Sequence, residues 1–179
     1  HIANIDAMAQ HDRYSEATPD MVEAIVAGIG EFAADVYAPL NRVGDVNNPK
    51  WDNGKVTMPA GFKEAYAQFV EAGWGSIDGP TEYGGQGLPF TLAGVVTEAL
   101  GTANMGFTLC PILSAGAIHA LMAYGSEEQR VRWLPDMATG KVIGCFGLTE
   151  AHGGSDPAAM KTRAVRDGSD WVVNGSKMW

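Results

Sequence analysis

The sequence predicts an α+β protein: an all-α helical region over residues 1–140, then the start of a β-domain over residues 141–179. Three observations carry this. Apolar residues recur at helical spacing up to Gly140, the breaks between those runs carry helix-cap chemistry, and beyond Gly140 the period shortens to that of strands joined by Asp-Gly and Asn-Gly turns.

Thr18-Pro19-Asp20 has the form of a helix start, with a hydroxyl N-cap, proline at the first helical position and an acid in the first turn. Val22, Ile25, Val26, Ile29, Phe32, Ala33, Val36 and Leu40 follow at helical spacing, and Pro39 is expected to end the run. Residues 41–53 are polar and rich in turn formers, and read as a loop. A second helix follows Pro59, with Phe62, Tyr66, Phe69 and Val70 on one face and Gly73 closing it. Trp74 to Pro89 is dense in glycine and reads as turns; its glycines do not have the spacing of a phosphate-binding loop. A third helix carries Leu92, Val95, Val96, Ala99 and Leu100, and a fourth fills the uncharged stretch Gly101–Ser126, with Gly125 ending it. Ser126-Glu127-Glu128-Gln129 has capping-box form and opens a fifth helix, limited by Pro135. Strands are then expected at Cys145–Thr149, Lys161–Arg166 and Trp171–Val173, with turns at Asp167-Gly168 and Asn174-Gly175.

Composition excludes several functions. With 46% hydrophobic and 18% charged residues among 179, the chain has an ordinary globular balance and enough length to bury a core. A net charge of −9 and scattered basic residues argue against nucleic-acid binding. Cys110 and Cys145 are the only cysteines, so no disulfide framework is expected and a reducing compartment is favoured. The histidines, His1, His11, His119 and His152, lack metal-ligand spacing, and no metal site is expected. His119 reads as a satisfied core residue and His152 as a solvated loop residue. No signal-peptide pattern is visible at the N-terminus. The uncharged stretch is diluted by Thr102, Asn104, Thr108, Pro111, Ser114 and His119, and so reads as a helix buried inside a protein bundle, not a membrane span.

Gly144 to Asp156 is the most informative segment. A strand running into a Gly-Gly-Ser-Asp loop presents outward amides at Leu148 and Thr149, a hydroxyl at Thr149, close backbone approach at Gly153 and Gly154, and a second hydroxyl at Ser155. That set suits a flat ligand with a polar edge and a diphosphate tail. A plain reading stands beside it: a strand, a glycine turn and a local Ser-Asp cap.

Leu148-Thr149-Glu150-Ala151-His152-Gly153-Gly154-Ser155-Asp156, followed by Asn174-Gly175-Ser176-Lys177-Met178-Trp179, resembles the flavin segment and hairpin end of the acyl-CoA dehydrogenases. Tyr124–Gln129, Trp133-Leu134-Pro135 and Glu82–Gly87 resemble the same family. The resemblance implies FAD as cofactor and α,β-desaturation of an acyl-CoA thioester. It implies a β-barrel-like middle domain and a further C-terminal four-helix bundle that carries the catalytic glutamate, so no catalytic residue is expected in this chain. Phe146, Leu148, Thr149, Gly154, Ser155 and Trp179 would bind the cofactor, with Ser155 also near the substrate. Implied partners are the acyl-CoA substrate, an electron-transferring flavoprotein and further copies in a homodimer or homotetramer. The implied location is bacterial cytoplasm, or the mitochondrial matrix in a eukaryote. An acyl-CoA oxidase or monooxygenase, or a non-catalytic relative, would share these features. Ala151 departs from the family pattern, which has proline there.

Substrate hints conflict. The stretch from Gly144 to Ala164 most resembles glutaryl-CoA dehydrogenases, whose preceding helix carries an arginine for the distal carboxylate. Gly106-Phe107-Thr108-Leu109 has none, and no Lys or Arg occurs between Gly101 and Gln129. A buried carboxylate needs such a partner. Leu40–Asp45 and Gly61–Tyr66 resemble a bacterial branch with an extended N-terminus that includes 3-methylmercaptopropionyl-CoA dehydrogenases. A neutral aliphatic or thioether acyl chain is therefore expected.

Overall fold

The fold is that of a computed structural model, which describes residues 4–178. The chain divides into two compact units, residues 1–144 and 145–179. Helical elements and one small hairpin build the first, and a second antiparallel hairpin the other.

The first unit opens with a single turn, α1 (Ile5–Met8), and a 3-10 turn at Asp12–Tyr14. Helix α2 (Pro19–Phe32) starts where expected: the Thr18 hydroxyl accepts the Met21 amide at 3.3 Å. Its buried residues are Ile25 and Ile29. Pro39 does not end the run. The helix widens into a π-turn, Ala33–Tyr37, and continues as α3 (Ala38–Val46) with Pro39 in its first turn. Proline inside a helix lacks a donor for the carbonyl four residues back and collides with it. Here that carbonyl belongs to Asp35, inside the π-turn, where the wider winding relieves the conflict.

The loop expected over residues 41–53 is thus helical as far as Val46. Beyond it, β1 (Lys50–Asp52) pairs with β2 (Lys55–Thr57) in a hairpin turning on Asn53 and Gly54 at φ 47° and 80°. Each strand is exposed and only three residues long, with a single apolar residue, Trp51 or Val56, so the alternation is too short to read; the Asn-Gly pair was the available signal.

Helix α4 (Phe62–Glu71) buries Phe62, Ala65 and Phe69. The glycine-rich stretch after it folds back on itself. Gly85 N donates to Pro80 O, Gln86 N to Ser76 O, Gly87 N to Gly79 O and Leu88 N to Ile77 O, each at 2.9 Å.

The third and fourth expected helices are one element, α5 (Phe90–Tyr124), interrupted at Asn104. There the backbone turns extended, with φ −158° and ψ 86°. The Asn104 side chain compensates: its Oδ1 accepts the Phe107 amide at 3.1 Å, and its Nδ2 donates to the Tyr37 carbonyl at 3.3 Å. The break in α5 is thereby stitched to the π-turn. Around the stitch the Tyr37 ring stacks on Phe107 at 4.4 Å and 7°, and Phe62 lies 4.9 Å from Phe107.

By length and composition α5 is apolar enough to cross a membrane. It buries Leu92, Val96, Leu100, Phe107 and Ile118 but leaves Met105, Leu109, Ile112 and Leu113 exposed. The expectation of a helix buried inside a bundle is therefore met on one side only among the described residues.

Helix α6 (Glu127–Ala138) begins with the predicted capping box: Gln129 N donates to Ser126 Oγ at 3.3 Å and Ser126 N to Gln129 Oε1 at 2.9 Å. It runs through Pro135 to Ala138. Pro135 and Val131 are both exposed, so the carbonyl that proline leaves without a donor belongs to a residue on the solvent side of the helix.

In the second unit, β3 (Arg163–Asp167) pairs with β4 (Asp170–Asn174), with Val165 opposite Val172 and Gly168 at φ 60° in the turn. The strand expected at Cys145–Thr149 has no ladder among the described residues. Only an isolated bridge, Glu150 with Gly153, follows it. A run with strand-like composition becomes a strand only where a second strand offers its hydrogen bonds.

Candidate functional site

The predicted residues Phe146, Leu148, Thr149, Gly154 and Ser155 fall in the second unit; Trp179 lies outside the described residues. Phe146, Leu148, Thr149 and Ser155 are exposed, and Gly154 is half-buried against the Thr149 side chain. Asp156 caps the following 3-10 turn, accepting the Ala158 amide at 3.1 Å. The plain reading of the Gly-Gly-Ser-Asp loop as a local cap holds at Asp156, and Ser155 is left exposed.

The segment is fixed by a buried carboxylate. Glu150 has a side chain only 2% exposed. Its oxygens accept the Lys161 amide at 2.8 Å, the Thr162 amide at 3.1 Å and the Lys177 ammonium at 2.9 Å. His152 Nε2 adds a contact at 3.1 Å from the solvent side. A single acid therefore ties the flavin-like segment to the entry of β3 and to the segment after β4.

The Thr162 hydroxyl, the Lys161 amide and the Lys177 ammonium hold the Glu150 carboxyl well below the usual carboxylate range, against the upward push of burial. The Thr162 hydroxyl lies outside ordinary hydrogen-bond geometry, and is buried without a partner among the described residues. The greater weight therefore belongs to the amide and the ammonium. Because the folded state lowers this pKa, Glu150 stabilises above its unfolded value of about 4.3, and the contribution fades as pH falls below that value. Glu150→Gln is accordingly expected to be less stable than wild type at neutral pH and to converge with it as the solution is acidified below about pH 4. Thermal melts of both proteins across that range check this; a gap that stays constant with pH would rule out the charge.

Lys177 also donates to the Leu148 carbonyl at 3.1 Å, and Met178 N donates to the Thr149 carbonyl at 2.9 Å. The Glu150 amide is taken by Gly153 O at 2.7 Å. Among the described residues, the amides of Leu148 and Thr149 donate to no protein acceptor. The carbonyls of Leu148 and Thr149 are both occupied while the N–H groups of the same two exposed residues stay open to solvent.

The sequence assigned no task to Lys177 or Thr162. The signal was present in the Asn174–Lys177 motif, but which partner the lysine meets depends on the return of the chain after β4. His119 is not a core residue: it is half exposed, paired with Asp78 at 2.8 Å and met edge-on by Phe90 at 5.8 Å. In the first unit, a mainly apolar cleft of about 850 Å³ is lined by Val56, Met58, Phe62, Tyr66, Phe107 and Cys110 among others. Among the described residues, none of those predicted to bind the cofactor lines it. Burial raises the pKa of both Cys110 and Tyr66 there, which keeps them neutral.

Residues 19–141 match the family model described as acyl-CoA dehydrogenase, N-terminal domain, and residues 145–179 match the acyl-CoA dehydrogenase middle domain. The chain belongs to the acyl-CoA dehydrogenase family. Among curated members, it is 37% identical over 180 residues to a 3-methylmercaptopropionyl-CoA dehydrogenase of Ruegeria pomeroyi, covering 100% of this chain and 31% of that protein. It is 37% identical over 117 residues to a probable acyl-CoA dehydrogenase of Mycobacterium leprae, covering 65% of this chain and 30% of that protein. Among solved structures, a Mycobacterium smegmatis glutaryl-CoA dehydrogenase in complex with FADH2 aligns with a TM-score of 0.72 and 33% identity, over 90% of this chain and 39% of that one. A glutaryl-CoA dehydrogenase with glutaryl-CoA bound gives 0.74 and 26%, over 90% and 39%. The chain spans about a third of the length of these curated acyl-CoA dehydrogenases.

Proposed function

We propose that this chain supplies the N-terminal and middle-domain portions of an FAD-dependent enzyme that desaturates an acyl-CoA thioester between its α and β carbons. The observation that carries the reading is the pair of open amides at Leu148 and Thr149, in a segment that matches the family's middle domain. The residues fit a flavin. The Leu148 and Thr149 amides and the Thr149 hydroxyl would serve the polar edge of the ring, and the exposed Phe146 would lie against it. Gly154 and Ser155 would receive the diphosphate, and Trp179 would complete the ring contacts. FAD bound there would supply the acceptor for the β-hydride. Donors fixed at a ring edge favour negative charge developing there. The base that takes the α-proton lies outside this chain in this reading, and Ser155 would stand near the thioester.

A neutral acyl group is supported by α5. Its outward residues near the break are Met105, Leu109, Ile112 and Leu113, and no Lys or Arg occurs from Gly101 to Gln129. The similarity to a 3-methylmercaptopropionyl-CoA dehydrogenase is consistent with a short thioether or aliphatic chain. An electron-transferring flavoprotein would accept the electrons, and the enzyme would act as a homodimer or homotetramer.

The full-length protein is expected to purify yellow, absorbing near about 450 nm, and to bleach without oxygen when given a neutral acyl-CoA but not a dicarboxylic one. A colourless protein that takes up no FAD would sink the reading. Stoichiometric peroxide in air would move the enzyme to the oxidases.

A further inference from the structure

We infer that Lys177, held in place by the buried Glu150 carboxylate, is a positioning residue that sets the direction of the Thr149 N–H. The inference rests on the flavin reading above for its function but on protein geometry alone for its structure.

A trans peptide is planar, so the carbonyl of one residue and the N–H of the next point in opposite directions. The Lys177 ammonium donates to the Leu148 carbonyl at 3.1 Å. Fixing that carbonyl toward Lys177 turns the Thr149 N–H the other way. The next peptide is pinned at both ends, with the Thr149 carbonyl on Met178 N at 2.9 Å and the Glu150 N–H on Gly153 O at 2.7 Å. The Leu148–Thr149 peptide has no second anchor: its N–H has no acceptor among the described residues. Its orientation therefore depends on Lys177.

Lys177 in turn depends on Glu150. A four-carbon side chain loses much rotamer freedom when its end is fixed. Its ammonium is held by the Glu150 carboxylate at 2.9 Å and the Met160 sulfur at 3.4 Å. Glu150 is itself fixed by the Lys161 and Thr162 amides. The backbone next to Lys177 leaves no slack, because a Cβ on Gly175 would lie 2.1 Å from Thr162 Oγ1. Gly175 has to be glycine for this segment to lie so close to β3. The order of dependence is Lys161 and Thr162 amides, Glu150, Lys177, Leu148 carbonyl, Thr149 N–H.

The test uses the full-length protein and three variants: Lys177→Met, Lys177→Arg and the double variant Glu150→Gln with Lys177→Met. Apoprotein is titrated with FAD, and visible circular dichroism of the bound flavin reports the chirality of its contacts. Lys177→Met is expected to weaken FAD binding tenfold or more and to change the flavin dichroism, and Lys177→Arg to restore part of both. The double variant removes both charges, so it avoids a stranded carboxylate and keeps the fold if the single variant does not fold. It is expected to bind FAD as poorly as Lys177→Met and to show the same altered dichroism. Wild-type affinity and dichroism in whichever of these two variants folds would overturn the inference. Wild-type protein that binds no FAD would instead overturn the flavin reading.

Discussion

Replacing Tyr37 with alanine is expected to lower the stability of the first unit by about 3–5 kcal/mol, whereas Tyr37→Phe is expected to be neutral or stabilising. The Tyr37 side chain is 0% exposed. Its ring stacks on Phe107 at 4.4 Å, and Phe32 and Phe69 lie 5.5 and 6.3 Å away, so truncation leaves a cavity walled by rings that cannot all move in. The hydroxyl has the opposite standing. It is buried with no hydrogen-bond partner among the described residues, and burial raises its pKa. A desolvated hydroxyl without a partner costs about 1–3 kcal/mol, so phenylalanine removes the penalty and keeps the stack. Urea unfolding of the two variants separates the effects. A phenylalanine variant that loses as much as alanine would mean the hydroxyl has a partner and the ring stack is minor.

Gly85→Ala is expected to cost about 3 kcal/mol or more, at the upper end for overpacking. A Cβ there would sit 2.1 Å from the Gly79 carbonyl carbon and 2.2 Å from its oxygen. The obstacle is backbone, so no side chain can rotate out of the way. The Gly79 carbonyl is already committed to Gly87 N and the Ser76 carbonyl to Gln86 N. Opening the loop would break those bonds as well. Ala at Gly30, where nothing lies within 4 Å of a Cβ, is the control and is expected to stabilise α2 slightly. Comparable losses at both positions would show that the crowding at Gly85 is relieved by a small shift of the loop.

Elements with local chemistry were legible. Thr18 and Ser126 announced their helices because capping uses side chains within three residues of each other. The β3–β4 hairpin was legible because its turn and its alternation are both local. Pro39 and Pro135 misled for one reason: sequence shows the missing donor but not how the chain around it adjusts, through a wider turn in one case and placement on an exposed helix face in the other. The β1–β2 hairpin was hidden by its length, since three-residue strands with one apolar residue each, Trp51 and Val56, carry too short a pattern to read. In the candidate site, the open amides of Leu148 and Thr149 were readable as a class of feature, but their anchoring was not. Lys177 is 27 residues from Glu150 in sequence, and only the return of β4 brings them together.

The π-turn at Ala33–Tyr37 also has a mechanical consequence. Asn104 donates from the break in α5 to the Tyr37 carbonyl, 67 residues away in sequence, and accepts the Phe107 amide with its other end. One side chain thus serves two irregular stretches of backbone. A displacement of either stretch is passed to the other through that amide, so the two bend as a single joint and not as separate hinges.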